Sequence, residues 1–295
     1  MLQIGTLPPI VTEVEAETTD RFGNVLPTII VKPDEPEINW KSYDFSDLFL
    51  SRLSSPSSTI QSAISTAVDS AIEAGIWDLY HAIYPLVNGT EADHSYNLKF
   101  PFNNEMAMKL HFIGSPTHNS NGITMANNTQ YCSIAMNPSV LEMYSSGHFS
   151  LYYRAYTAIA NNLEISFSGD SREGRWFLNQ PNAGSGTNGM SMCSSINQIT
   201  PSPAITLTGL WMLNRTNNTT LRQVRNGTLD RQITNNSGSL APFFDGSGIS
   251  WSNIRMCQGD KNCALITIGQ GMTSTQEADH YTIWQTFQTE LGRQV

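Results

Sequence analysis

The chain carries few charged residues for its length. Of its 295 residues, 14% are Asp, Glu, Lys or Arg, against about 25% in ordinary soluble proteins. Basic residues are the scarcer sign, 16 against 25 acidic, so the formal net charge is −9. A protein with this balance has no broad electrostatic basis for holding a phosphate backbone. We therefore expect no nucleic-acid partner.

Long apolar runs are also missing. No stretch of about 18 apolar residues is available to span a bilayer. The first residues lack the basic segment and the apolar stretch of a secretory signal. These two absences predict no membrane insertion and synthesis in a cytoplasm without export.

The motifs of common catalytic and metal sites are absent as well. No Glu-x-Asp-x-x-Glu strand supplies the two carboxylates of a glucanase, and no Gly-x-Ser-x-Gly turn supplies an activated serine. The six histidines are scattered, and no Cys-x-x-Cys or histidine pair has the spacing of metal ligands. The sequence predicts a protein that is not an enzyme and that holds no cofactor and no metal.

Cysteine is scarce, with four residues in the chain. Cys257 and Cys263 are the two that lie near each other in sequence. They are compatible either with a disulfide across a tight loop or with two reduced thiols flanking a turn. Reduced thiols are usual in proteins made in a cytoplasm.

Short strand-like runs dominate from residue 95 onward. Ser, Thr, Asn and Gly are abundant between them, as expected where many strands are joined by turns. Asn226-Gly227 separates two such runs and is a strong signal for a two-residue hairpin, because a mirror-type turn needs positive φ at both positions. The pattern predicts a mainly β protein in which two sheets bury their inner faces against each other.

The last 32 residues combine a strand, two glycines and a helix. Leu265, Ile266 and Ile268 form an apolar run, and Thr273 with Gln276 has the form of a capping box that starts a helix. Apolar residues then recur every three or four positions and predict one buried stripe: Ala278, Tyr281, Ile283, Trp284, Phe287 and Leu291.

This C-terminal block resembles the end of the laminin-G-like, concanavalin A-like jelly rolls found in bacteriophage virion proteins. The segments Gly75–Thr90 and His94–Pro101 resemble the helix and first strand of the same group. The resemblance covers about Ile60 to Val295. It implies a concanavalin A-like jelly-roll sandwich with a C-terminal helix.

We divide the chain into three parts on composition. Residues 1–56 are rich in proline and predict an extended arm, residues 57–84 an amphipathic helix and connector, and residues 85–295 the jelly roll. Apolar aromatic residues near the end of the arm predict that it docks on a partner: Trp40, Tyr43, Phe45 and Phe49.

The amphipathic helix has two interpretations. Ile60, Ile64, Val68 and Ile72 recur every four residues after the capping signal of Ser57 and Ser58. Such a line of apolar residues winds around the helix, which suits packing on a curved surface or supercoiling with copies of itself. The helix therefore lies on its own jelly roll or forms a bundle in a homo-oligomer, a dimer or trimer.

Three residues are candidates for carbohydrate contacts, since lectins combine loop aromatics with Asn or Asp side chains. Trp251 and Asn253 lie in a segment rich in glycine and serine, and Trp176 lies in a short strand. Trp211 lies in an apolar run and is expected in the core.

Together these observations predict a non-enzymatic structural protein of a bacteriophage, made in the host cytoplasm and exposed on the virion surface. As a capsid decoration, head fibre or tail fibre it would bind capsid or tail proteins through its arm and present the jelly roll to host-surface glycans. A free bacterial lectin, or a catalytically dead glucanase-like domain, is the alternative.

Overall fold

The computed structural model describes residues 45–103, 107–134, 146–157, 207–217, 219–234 and 254–295, together with the strands at 17–19, 25–27, 165–167, 175–180, 187–191 and 198–201. For those six strands, and for Ile233 and Ile254, only the backbone is described. The chain forms two compact units, Met1–Asp44 and Phe45–Val295. In the first unit, β1 (Glu17–Thr19) pairs with β2 (Val25–Pro27) in antiparallel register. The sequence had placed the end of the arm at residue 56.

The second unit is built on two antiparallel sheets. One sheet contains seven strands in the order β12-β11-β10-β9-β16-β7-β4. Their bounds are β4 Leu110–Ile113, β7 Tyr131–Ile134, β9 Ile165–Phe167, β10 Arg175–Gln180, β11 Thr187–Ser191, β12 Gln198–Pro201 and β16 Ile254–Met256.

The other sheet contains eight strands in the order β15-β14-β13-β8-β17-β6-β5, with β3 also paired to β17. Their bounds are β3 Tyr80–Tyr84, β5 Thr117–Asn119, β6 Gly122–Met125, β8 Gly147–Tyr156, β13 Gly209–Arg215, β14 Thr220–Arg225, β15 Thr228–Thr234 and β17 Lys261–Gly269. The Asn226-Gly227 hairpin is confirmed, with φ of 48° and 71° between β14 and β15.

Helices cover the outer face of the eight-stranded sheet. They are α1 (Phe45–Leu50), α2 (Ser58–Glu73) and α4 (Ser274–Glu290), while the short α3 (Glu91–Ser95) lies beside β4. Both predicted starts are confirmed: the Ser57 hydroxyl accepts a hydrogen bond from the Ile60 amide at 3.3 Å, and Thr273 forms the capping box with Gln276. Helix α2 packs against α4 and α1 of its own chain. This agrees with the interpretation that the helix lies on its own jelly roll.

The eight-stranded sheet is therefore buried on both faces. Along β13, Trp211 and Leu213 belong to the core between the sheets, whereas Leu210 and Met212 belong to the core beneath the helices. Every residue of β13 and β17 is buried. The apolar residues of Leu210–Leu213 and Cys263–Ile266 follow each other without alternation because each face of the sheet meets another layer.

This architecture confirms the mainly β, concanavalin A-like jelly-roll sandwich with an amphipathic helix before it and a helix after it. Trp211 is fully buried, and its indole N–H donates a hydrogen bond to the carbonyl of Leu207 at 2.9 Å. Trp211 is therefore a core residue, as predicted. None of the helices in the described parts of the chain combines the length and the apolar composition needed to cross a bilayer.

Candidate functional site

The outer face of the seven-stranded sheet presents a row of polar positions. Leu110, Cys132 and Met256 are buried in the core between the sheets. Side chains alternate along a strand, so His111, Ser133 and Arg255 occupy outer-face positions, although Ser133 is only 2% exposed there. Strand pairing continues this row across six strands, from β4 to β11. We call it the outer row, and it consists of His111, Ser133, Arg255, Ser166, Arg175 and Ser191.

Tyr131 and Arg255 form the aromatic and cationic part of this face. The guanidinium carbon of Arg255 lies 4.9 Å from the ring centroid of Tyr131. Arg255 is exposed, and Tyr131 is half-buried beside Ile113, its partner in β4, which is 40% exposed. An aromatic ring beside an exposed guanidinium offers both a flat apolar surface and a fork of hydrogen-bond donors.

The three residues predicted to bind a ligand lie in, or shortly before, strands of the seven-stranded sheet. Trp251 and Asn253 lie outside the described residues, and β16 begins at Ile254, the next position. Trp176 lies in β10, where pairing aligns it with Ile165, and through Ile165 with Met256. By register, Trp176 therefore takes the position on β10 that corresponds to Met256 on β16, not to a residue of the outer row. The ligand role of these three residues stays a prediction.

The predicted docking residues are separated by the structure. Trp40 and Tyr43 lie outside the described residues, whereas Phe45 and Phe49 belong to α1. Phe49 has no exposed surface and packs in the core beneath the helices, and the Phe45 ring lies 5.3 Å from that of Trp77. Packing inside its own domain accounts for Phe49, because a fully buried ring has no surface left for a partner, whereas Phe45 is half-buried. The docking prediction therefore depends on Trp40, Tyr43 and Phe45.

A chain of buried side chains links α4 to the eight-stranded sheet. Consecutive polar atoms lie 2.6 to 3.1 Å apart. We call this the buried polar chain, and its members in order are Trp284, Tyr80, His280, Ser150, Thr267, His148 and the carbonyl of Gln270. It contains a Ser150–His280 contact of 2.9 Å, the arrangement of a nucleophile and its base.

The ends of the buried polar chain fix the direction of its hydrogen bonds. At one end the Gln270 carbonyl can only accept, so His148 Nδ1 carries a proton. In a neutral imidazole Nε2 then accepts from Thr267, and Thr267 in turn accepts from Ser150. At the other end the Trp284 indole can only donate, so Tyr80 accepts from it and donates to His280 Nδ1. Nε2 of His280 then donates to Ser150.

Every bond of the buried polar chain is satisfied with both histidines neutral. Burial lowers the pKa of His148 to about 4 and lowers the pKa of His280 well below its usual value. Ser150 is fully buried and donates its proton to Thr267 rather than to His280. A substrate has no access to this serine, so the buried polar chain fastens α4 to the sheet.

Other titratable groups of the described residues do not form a metal site. His94 and His118 approach with Nδ1 atoms 2.9 Å apart, and burial is the largest cause lowering the pKa of each. Among the described residues, no cluster of three or more His, Cys, Asp or Glu is arranged to hold a metal ion. Cys257 and Cys263 are buried and form no disulfide, which is the reduced alternative of the two left open by the sequence.

Comparison with known proteins gives only remote likenesses. No protein-family model and no curated protein matches the chain. Domain 4 of AbnA, a GH43 extracellular arabinanase from Geobacillus stearothermophilus in complex with arabinotriose, is similar at 12% identity and a TM-score of 0.44, over 68% of this chain and 97% of that one. The Ruminococcus gnavus IT-sialidase CBM40 bound to alpha2,3 sialyllactose is similar at 14% identity and a TM-score of 0.41, over 54% and 95%.

A third solved structure, the binding domain of Paraclostridial Mosquitocidal Protein 1, is similar at 12% identity and a TM-score of 0.46. The likeness covers 70% of this chain and 52% of that one, so the chain spans about half of its length. With TM-scores below 0.5, none of these likenesses identifies a family or a ligand.

Proposed function

We propose that the protein is a non-enzymatic, glycan-binding jelly roll whose ligand surface is the outer face of the seven-stranded sheet. The observation that carries the proposal is the contact between the Tyr131 ring and the guanidinium of Arg255, a member of the outer row. A pyranose ring has an apolar face that suits an aromatic side chain, and its oxygens accept hydrogen bonds from guanidinium and hydroxyl groups. Tyr131 supplies the ring and the exposed Arg255 supplies the guanidinium donors, whereas the neighbouring Ser133 is 2% exposed.

Two features support a binding role over catalysis. The six positions of the outer row carry no carboxyl group, whereas glycoside hydrolysis by the common route needs two across the scissile bond. The Ser150–His280 contact, which has the geometry of a nucleophile and base, is closed to substrate by full burial. The same ligand face would serve the protein whether it is a free lectin or a catalytically dead glucanase-like domain.

Binding to glycans tests the proposal directly. The full chain is applied to a glycan array, and hits are titrated by calorimetry for the parent protein, Tyr131→Ala and a control, Leu229→Ala. Leu229 is 45% exposed on β15 of the other sheet, so its truncation also removes an exposed apolar side chain. We expect saturable binding that Tyr131→Ala weakens about tenfold or more and that the control leaves unchanged. Hydrolysis of any bound glycan would refute the non-enzymatic part.

The biological setting that we propose is the surface of a bacteriophage particle. The support is the resemblance of the chain from about Ile60 to Val295 to jelly rolls of virion proteins, together with the aromatic residues Trp40 and Tyr43 in the arm. In this setting residues 1–56 attach to a capsid or tail protein, the chain assembles as a dimer or trimer, and the jelly roll reaches host-surface glycans.

Immunogold electron microscopy of intact particles from the source tests this setting. An antibody raised against the protein should label fixed positions on the head or tail. Unlabelled particles, with the protein present only in the soluble fraction, would favour the free bacterial lectin. The attachment role of the arm fails if deletion of residues 1–44 leaves incorporation into particles unchanged.

A further inference from the structure

The outer row includes two arginine positions in a protein whose net charge is −9. It contains two arginines, one histidine and three serines, and no acidic residue. Arg255 and Arg175 both pair with Ser166, one from each side. They stand two strand spacings apart, about 10 Å between backbones. The strand register therefore places a second arginine position in line with Arg255.

The orientation of Arg255 leaves its donors available. Its guanidinium lies over the Tyr131 ring at 4.9 Å, and the residue is exposed. Among the described carboxylates, none forms an ion pair with it. A guanidinium that rests on a ring keeps its planar fork of N–H groups at the edge, where it can bind a carboxylate or sulfate in bidentate fashion.

We infer that the ligand of this face is an anionic glycan, in which carboxylate or sulfate groups bind the arginines while a sugar ring lies on Tyr131. This inference rests on the proposed glycan-binding function and names its substrate class. Two arginine positions separated by a serine suit an extended chain with repeated negative charges better than a single small anion. Such a ligand matches the charge of Arg255, whereas a neutral glycan would use only the hydrogen-bonding capacity of its guanidinium.

Matched pairs of glycans test the inference with the full chain. The probes are polygalacturonate with its methyl ester, sulfated with unsulfated galactan, and sialylated with unsialylated lactose. The variants are Arg255→Gln and Arg175→Gln, and the control is Arg231→Gln on β15 of the other sheet, which removes the same charge elsewhere. Arg255 is exposed, so its variant should unfold in urea like the parent.

We expect an acidic member of a pair to bind about tenfold or more tightly than its neutral counterpart, with affinity that falls as salt rises. Arg255→Gln and Arg175→Gln should each remove most of this preference, and Arg231→Gln should preserve it. Equal binding of acidic and neutral members that is insensitive to Arg255→Gln overturns the anionic-ligand inference and leaves the glycan-binding proposal intact. Binding of no glycan overturns both. Tighter, Arg255-dependent binding of single-stranded DNA than of any glycan also overturns the inference.

Discussion

Acid should destabilise this protein because the buried polar chain requires neutral histidines. His148 is fully buried, donates through Nδ1 to the Gln270 carbonyl and accepts through Nε2 from Thr267. A proton added to Nε2 would turn that acceptor into a second donor facing a hydroxyl whose other bond is already made. It would also place a charge in the protein interior. Protonation of His148 is therefore far easier in the unfolded chain.

The size of the effect follows from the two pKa values of His148. The unfolded value is near 6.5 and burial lowers the folded value to about 4. Because the folded pKa is depressed, the unfolded state binds more protons as pH falls. The contribution is complete above about pH 6.5 and is lost progressively down to about pH 4. Linkage gives a loss of about 2 kcal/mol in unfolding free energy between about pH 8 and pH 5 from His148 alone. His280 shifts stability in the same direction.

Urea unfolding followed by tryptophan fluorescence at those two pH values measures this loss. In His148→Asn the side-chain amide can still donate to Gln270 but does not titrate, so the difference between the two pH values should shrink by about 2 kcal/mol. Thr267→Ser keeps the hydroxyl and loses a buried methyl group. It should be less stable at both pH values by about 1 kcal/mol with the parent pH dependence. An unchanged pH dependence in His148→Asn would refute the assignment of His148 as a buried neutral residue.

Two further predictions concern contacts of α4. Gly227→Ala should destabilise the protein more than Gly75→Ala. Both positions have positive φ, which costs about 1–2 kcal/mol for a residue with a Cβ. At Gly227 the added Cβ would also lie 3.0 Å from Tyr281, whereas the space around Gly75 is open. Equal losses in urea unfolding would mean that the hairpin does not pack on Tyr281. Glu277→Gln should lower the free energy of unfolding by about 3 kcal/mol. Glu277 is 2% exposed and receives two hydrogen bonds from Arg222 and one from Asn214. A loss below about 1 kcal/mol would show that the Arg222–Glu277 ion pair adds little to stability.

Local signals predicted local structure correctly. The capping box of Thr273 and Gln276, the cap at Ser57 and the Asn226-Gly227 turn all involve residues within four positions of each other, so the sequence alone contains both partners. The continuous apolar run around Trp211 predicted burial for the same reason. What such signals could not supply is the layer that each face of a strand meets.

The buried stripe of α4 shows where local patterns stop. Ile283, Trp284 and Phe287 are buried as predicted, but Ala278 is exposed. The buried face instead includes polar residues that the apolar spacing did not select: Glu277, His280 and Gln288. Their partners lie on strands 24 to 130 residues away, so neighbouring residues in the sequence do not reveal which groups these side chains contact.

The outer row was missed for a related reason. Its six residues come from six strands that lie between positions 111 and 255 of the chain, and they align only through the register of the sheet. A shift of one residue in any pairing would turn that strand's contribution toward the core. Loop tryptophans are visible in a sequence, whereas a row across strands becomes visible only once the pairing is known.

The layering of the domain gives this row its significance. Helices α1, α2 and α4 pack on the eight-stranded sheet, and the inner faces of both sheets pack on each other. Among the described elements, the face that remains for a ligand of sheet-like extent is the outer face of the seven-stranded sheet. Arg255 and Ile113 are exposed there. Among the described side chains of this face, Arg255 is the exposed arginine, and the anionic glycan that we infer would bind its guanidinium.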